Sequence, residues 1–154
     1  MRALFEEIGK LFVQELQSNI KNQVDIRGRR FSPVATSTFK RLLNKEGSFL
    51  RTRLMFTGRF LLGAFKFISD ENSVSVFVSE DMYPARHSNG SVTYADIVRM
   101  NNDGSSEVNP AINSPPLIFP NNENDIMMMK SWETALDMLE HAVQNGDIEE
   151  MLFR

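Results

Sequence analysis

The sequence predicts an α+β domain: a long N-terminal helix, a short second helix, a small antiparallel sheet built on one β-hairpin, a long loop-rich segment and a C-terminal helix. Three observations carry this. Apolar residues recur at spacings of three and four at both ends of the chain, the signature of helices with one buried face. Val74, Val76 and Val78 alternate with Ser75 and Phe77 near the middle, the signature of a half-buried strand. Between them, residues 80–124 are dense in Pro, Asn, Ser and Gly.

At the N-terminus, Leu4, Ile8, Leu11, Phe12, Leu16 and Ile20 share one helical face from Arg2 to about Asn22. Gly9 lies inside this helix at a cost of about 1 kcal/mol relative to Ala, so the spacing predicts a close backbone approach or a weak point there. Gly28 and Pro33 end the regular pattern, and Pro33 makes Ser32 extended. A short helix over Thr36–Lys45 follows, with Phe39, Leu42 and Leu43 inward. The dense apolar run after Phe49 predicts a helical turn over Leu54–Phe60 and a strand over Leu62–Ser69, which turns through Asp70–Asn72 into a strand over Ser73–Ser79. Within the loop-rich segment, Val92–Met100 fits either a helical turn or a strand. Leu117, Ile118 and Phe119 stand between prolines and are too apolar for water, so they pack as an extended edge on the chain's own core or on a neighbour. After Asp125, one helical face collects Met128, Met129, Trp132, Ala135, Leu136, Leu139, Ala142 and Val143, with Gly146 as a left-handed stop and Asp147 as the cap of a final turn.

The chain has 154 residues, enough for a single domain over residues 1–154 with a sizeable core, and 42% of them are hydrophobic. It lacks Cys, which excludes disulfides, thiolate metal sites and Cys nucleophiles. No apolar run is long enough to cross a bilayer, and the first residues mix acids into an amphipathic pattern unlike a signal peptide, so no membrane partner is expected. His87 and His141 each lack a second ligand at helical spacing and read as surface residues. No phosphate-cradling glycine loop or nucleophile elbow occurs, and the adjacent acid pairs read as solvated surface. The expectation is a protein that is not an enzyme and takes no cofactor and no metal.

Charge is the informative signal. The net charge is only −3, yet Lys21 to Lys66 holds eleven Lys or Arg against Asp25 and Glu46, whereas Phe67 to Arg154 holds four against fifteen acids. Arg27, Arg29, Arg30, Lys40, Arg41, Arg51 and Arg53 are the candidate DNA-facing or intersubunit residues. Arg suits bidentate recognition of phosphate or carboxylate. One reading is a small nucleic-acid-binding protein that uses the Arg27–Lys66 region. The other is that the cationic part of one copy meets the anionic part of the next, a head-to-tail contact that closes into a ring.

The run from Arg27 to Leu42, with Gly28, Phe31, Pro33, Val34, Ala35, Thr38 and Lys40 in order, resembles the turn-and-helix signature of the virion-morphogenesis and tail-completion (neck) proteins of tailed bacteriophages. Leu54, Thr57, Gly58 and Phe60 are similar to the family's next block, and Tyr94–Val98 is similar to its Tyr-Ala-x-aliphatic block. The likeness runs from about Leu4 to Val98. The chain departs from the family pattern in its longer Arg99–Gly104 stretch and in having Pro115–Asn124 where the family has a Pro-x-Arg turn. The resemblance implies a structural virion protein made in the host cytoplasm. Such a protein forms a closed ring, sixfold or twelvefold, at the head-to-tail junction, against neck, head-completion or tail-tube proteins, with genomic DNA in its lumen. It also implies that Leu117, Ile118 and Phe119 tip a loop reaching onto the next subunit.

Overall fold

The first helix, α1 (Arg2–Lys21), is the element on which the hairpin and the C-terminal helix pack. The computed structural model describes residues 2–30, 63–83, 93–102 and 117–146. Over these the chain is α+β: α1, the antiparallel hairpin β1 (Phe65–Ser69) and β2 (Val74–Val78), then α2 (Tyr94–Asn102), α3 (Glu123–Met127) and α4 (Lys130–Gln144). The helices expected over Thr36–Lys45 and Leu54–Phe60, the position of His87, and the cap expected at Asp147 lie outside the described residues.

α1 buries Phe5, Ile8, Gly9, Leu16 and Ile20, while Leu4, Leu11 and Phe12 are half-buried. Phe5 joins the face that the spacing assigns to Leu4, because Ala135 and Leu139 of α4 come up against it and Ile8. The strands pair Phe65 with Val78 and Ser69 with Val74. Their inner face, Phe65, Phe67, Val74, Val76 and Val78, lies on α1, while Ile68 is 66% exposed on the outer one. Gly9 answers its expectation with a close approach: a Cβ built there collides with the Phe67 ring. Ser73 belongs to the turn and not to the strand, because the Asp70 carboxylate accepts its N–H at 2.8 Å and that of Asn72 at 2.7 Å.

The described part of Val92–Met100 resolves as helical from Tyr94 onward, in the helix Tyr94–Asn102. Thr93 and Asp96 form a reciprocal cap at the start of α2, each backbone N–H donating to the other's side chain at 3.1 Å. The C-terminal region differs from the single expected helix. α3 ends at Met127, Met129 is extended (φ −73°, ψ 141°), and α4 starts afresh at Lys130. This offset corrects the expected face: Met129 is 1% exposed in the main core, whereas Met128 turns outward at 48%. Gly146 closes the helix with φ +74°, as expected.

α4 runs antiparallel to α1. Its first turn meets Glu15, whose carboxylate accepts the N–H of Ser131 at 2.6 Å and of Lys130 at 3.2 Å. Met129 in the capping position has no side-chain oxygen to accept a hydrogen bond, so Glu15 of α1 accepts two of the free N–H groups of α4 and faces its positive dipole end. At the other end, Leu139 packs on Phe5 and Ile8.

Gly9→Ala tests the tight approach. Ala is favoured in a helix by about 1 kcal/mol, yet displacing the Phe67 ring costs about 1–3 kcal/mol. Chemical denaturation is expected to show a net loss of stability.

Candidate functional site: a cationic turn braced by a buried carboxylate

The chain leaves α1 through a Schellman motif, with the Val24 N–H donating to Asn19 O at 2.9 Å and the Gln23 N–H to Ile20 O at 3.1 Å. Gln23 takes the left-handed conformation (φ 57°) that glycine usually fills, and its side-chain amide donates to Ile20 O. A backbone bridge between Val24 and Arg30 then closes a tight loop across residues 25–29, with Gly28 at φ +80°.

Asp25 organises this loop from inside. It is 2% exposed. Its Oδ1 accepts the backbone N–H groups of Arg27 and Arg29, both at 2.9 Å. Its Oδ2 accepts the Leu117 N–H at 3.2 Å and faces the Arg29 guanidinium, with Nη2 at 3.1 Å and Nε at 3.2 Å. The Ile26 N–H donates in return to Leu117 O at 3.1 Å. One carboxylate therefore fixes the turn and ties it to a segment 92 positions away in sequence.

This geometry sorts the expected cations. Arg29 serves Asp25 of its own chain. Arg27 and Arg30 are exposed, and among the described residues no carboxylate pairs with either. Lys66, the last cation of the basic block, reaches Asp81 at 2.9 Å on the surface. Lys40, Arg41, Arg51 and Arg53 lie outside the described residues. Of the two destinations open to the Leu117–Phe119 tip, the chain's own core is the one occupied. Leu117 and Ile118 are 3% and 2% exposed within the single chain. Phe119 is half-buried and stacks on Phe65 with ring centroids 6.3 Å apart. The Asn102 side chain completes the anchoring: its Oδ1 accepts the Ile118 N–H at 2.7 Å and its Nδ2 donates to Phe119 O at 2.9 Å.

Asp25 is the residue that charge counting misses, since it enters the sum as a lone acid among cations. The spacing Asp25-x-x-Gly28 held the signal, because an aspartate three residues before a glycine commonly accepts N–H groups of its own turn.

A cavity of about 330 Å³ opens between α1, β2 and α4, lined by Phe5, Ile8, Phe12, Val76, Trp132 and Leu136 among others, all apolar. Among the described residues its lining brings no acid, base or nucleophile together. Among the described residues no group of three or more His, Asp or Glu could hold a metal ion, no helix is long and apolar enough to cross a membrane, and His141 is exposed.

Three surface aspartates are held below their ordinary pKa. Asp70 is lowered by the N–H groups of Asn72 and Ser73, Asp81 by the Lys66 ammonium and Ser79, and Asp96 by the Thr93 N–H.

No protein-family model matches the chain, and no curated protein or solved structure matches it significantly.

Two predictions follow from the turn and its neighbours. Asp25→Ala strands three N–H donors and removes the carboxylate from the part-exposed Arg29 guanidinium, so urea titration is expected to show a loss of about 3 kcal/mol. Arg29→Ala is expected to cost less, because the backbone donors still hold the carboxylate. The lowered aspartates contribute stability that is fully present above about pH 5 and is lost as pH falls through their depressed folded values. Carbon-13 titration of their carboxyls is expected to place all three midpoints below that of an ordinary aspartate.

Proposed function

We propose that this chain is a non-enzymatic structural subunit of a tailed-bacteriophage virion, assembling as a closed homo-oligomeric ring of the neck or tail-completion type around the DNA passage. The observation that carries the reading is the separation of charge along α1. Cations stand on a braced turn beyond its C-terminus, at Lys21, Arg27 and Arg30, while exposed acids gather toward its N-terminus, at Glu6, Asp137 and Glu140. A protein that repeats itself around a circle uses two different patches of one molecule, and opposite charges make such patches complementary. The order of sequence blocks shared with the neck and tail-completion family supports the same reading. The partners are then further copies of the chain, adjoining neck, head-completion or tail-tube proteins, and the genome in the lumen.

A second reading has a specific observation in its favour: Arg27 and Arg30 are exposed cations on a braced turn, with no ion pair among the described residues, which suits contact with a phosphate backbone. It expects binding to short duplex DNA that weakens steeply as salt rises.

The two readings part in a particle reconstruction from a phage carrying this gene. The ring reading expects several symmetry-related copies at the junction of head and tail. A particle without the chain, or with one isolated copy, overturns it.

A further inference from the structure

We infer that the subunit contact is one particular heterologous pairing: the Arg27 and Arg30 side chains on the Asp25-braced turn of one copy against Asp137 and Glu140 on α4 of a second copy. The inference rests on the ring reading and names its joint.

The placement of the two patches excludes their meeting within one chain. α1 spans 20 residues, about 30 Å at the helical rise. The cationic turn follows its C-terminus, in the part of the core built by Leu16, Ile20, Ile26 and Leu117. Because α4 runs back along α1, Leu139 lies against Phe5 and Ile8 near the opposite end. Asp137 and Glu140, three positions apart on one exposed helical face, flank Leu139 there. An ion pair needs its atoms within about 4 Å, so these two patches can pair with each other only across two molecules.

Neither patch is explained by the stability of its own chain. Among the described residues, Arg27, Arg30, Asp137 and Glu140 make no ion pair. Asp137 and Glu140 stand toward the C-terminal, negative end of α4, where a carboxylate gains nothing from the helix dipole. The turn is also held rigid before any partner arrives, by Asp25, the Val24–Arg30 bridge and the Schellman closure. A preorganised cationic edge loses little conformational freedom on binding. Two different patches on one molecule generate a head-to-tail series, which closes into a ring where the rotation allows it.

Sedimentation velocity of the full chain at low salt provides the test. The wild type is expected to form oligomers that dissociate as salt rises. Arg27→Glu with Arg30→Glu, and separately Asp137→Lys with Glu140→Lys, are each expected to raise the concentration for half-assembly about tenfold. All four residues are exposed, so circular dichroism of the variants is expected to match the wild type. The chain carrying all four reversals restores complementarity and is expected to assemble within about threefold of the wild type. Oligomers that persist through both one-sided reversals overturn this pairing and leave a ring built on other surfaces. A wild type that stays monomeric at the highest concentration and lowest salt overturns the pairing and the ring together. Loss of assembly from the basic reversal alone, unrescued by the acidic reversal and accompanied by lost binding to duplex DNA, overturns the pairing in favour of the nucleic-acid reading.

Discussion

A two-stranded sheet does not hold itself together in water, and that constraint shapes the rest of this molecule. β1 and β2 persist because Phe65, Phe67, Val74, Val76 and Val78 form a face that α1 covers. The absence of a Cβ at Gly9 lets the Phe67 ring seat against the helix backbone. With the hairpin in place, α4 closes over the other flank of α1, and the stretch from Leu117 to Phe119 seals the far end against Ile26 and Phe65.

Polar groups fix the order of assembly around that apolar contact. Three side chains each satisfy backbone donors remote in sequence. Asp25 serves Leu117, Glu15 serves Lys130 and Ser131, and Asn102 serves Ile118. For the buried residues Leu117, Ile118 and Ser131 the alternative is an N–H without a partner, a cost of about 1–3 kcal/mol. Uniqueness of the packing thus rests on a few oxygens placed where irregular backbone enters the core. The cationic turn inherits its stiffness from this arrangement, since the same carboxylate that ties Leu117 also shapes residues 25–30.

Elements whose signal is local were legible in the sequence. The stripe of α1, the alternation of β2 and the stop at Gly146 each follow from periodicity or from a single residue type. Val92–Met100 was ambiguous because nine residues between breakers fit helix or strand, until Thr93 and Asp96 cap one another. The break at Met128–Met129 left no mark, since three consecutive methionines contain no breaker and suit either register. The site was half legible. Charge segregation pointed to residues 27–30, but Asp25 was counted as a charge when its role is to accept hydrogen bonds from within. That Arg29 is internally engaged follows from Asp25 and could not be read before it. The destination of Leu117 and Ile118 depended on a partner 92 positions away, which a one-dimensional pattern does not encode.

The cap on α4 has a consequence for how the chain is made. Glu15 leaves the ribosome before the N–H groups it satisfies, which follow 115 and 116 residues later. Contacts of such separation slow folding, because a long loop must close before they form. The part of the α1 stripe that α4 covers, at Phe5 and Ile8, therefore waits for its partner after the hairpin has been made, in a state prone to aggregation. Synthesis and folding are coupled across the chain: a helix made more than a hundred residues later shelters part of α1.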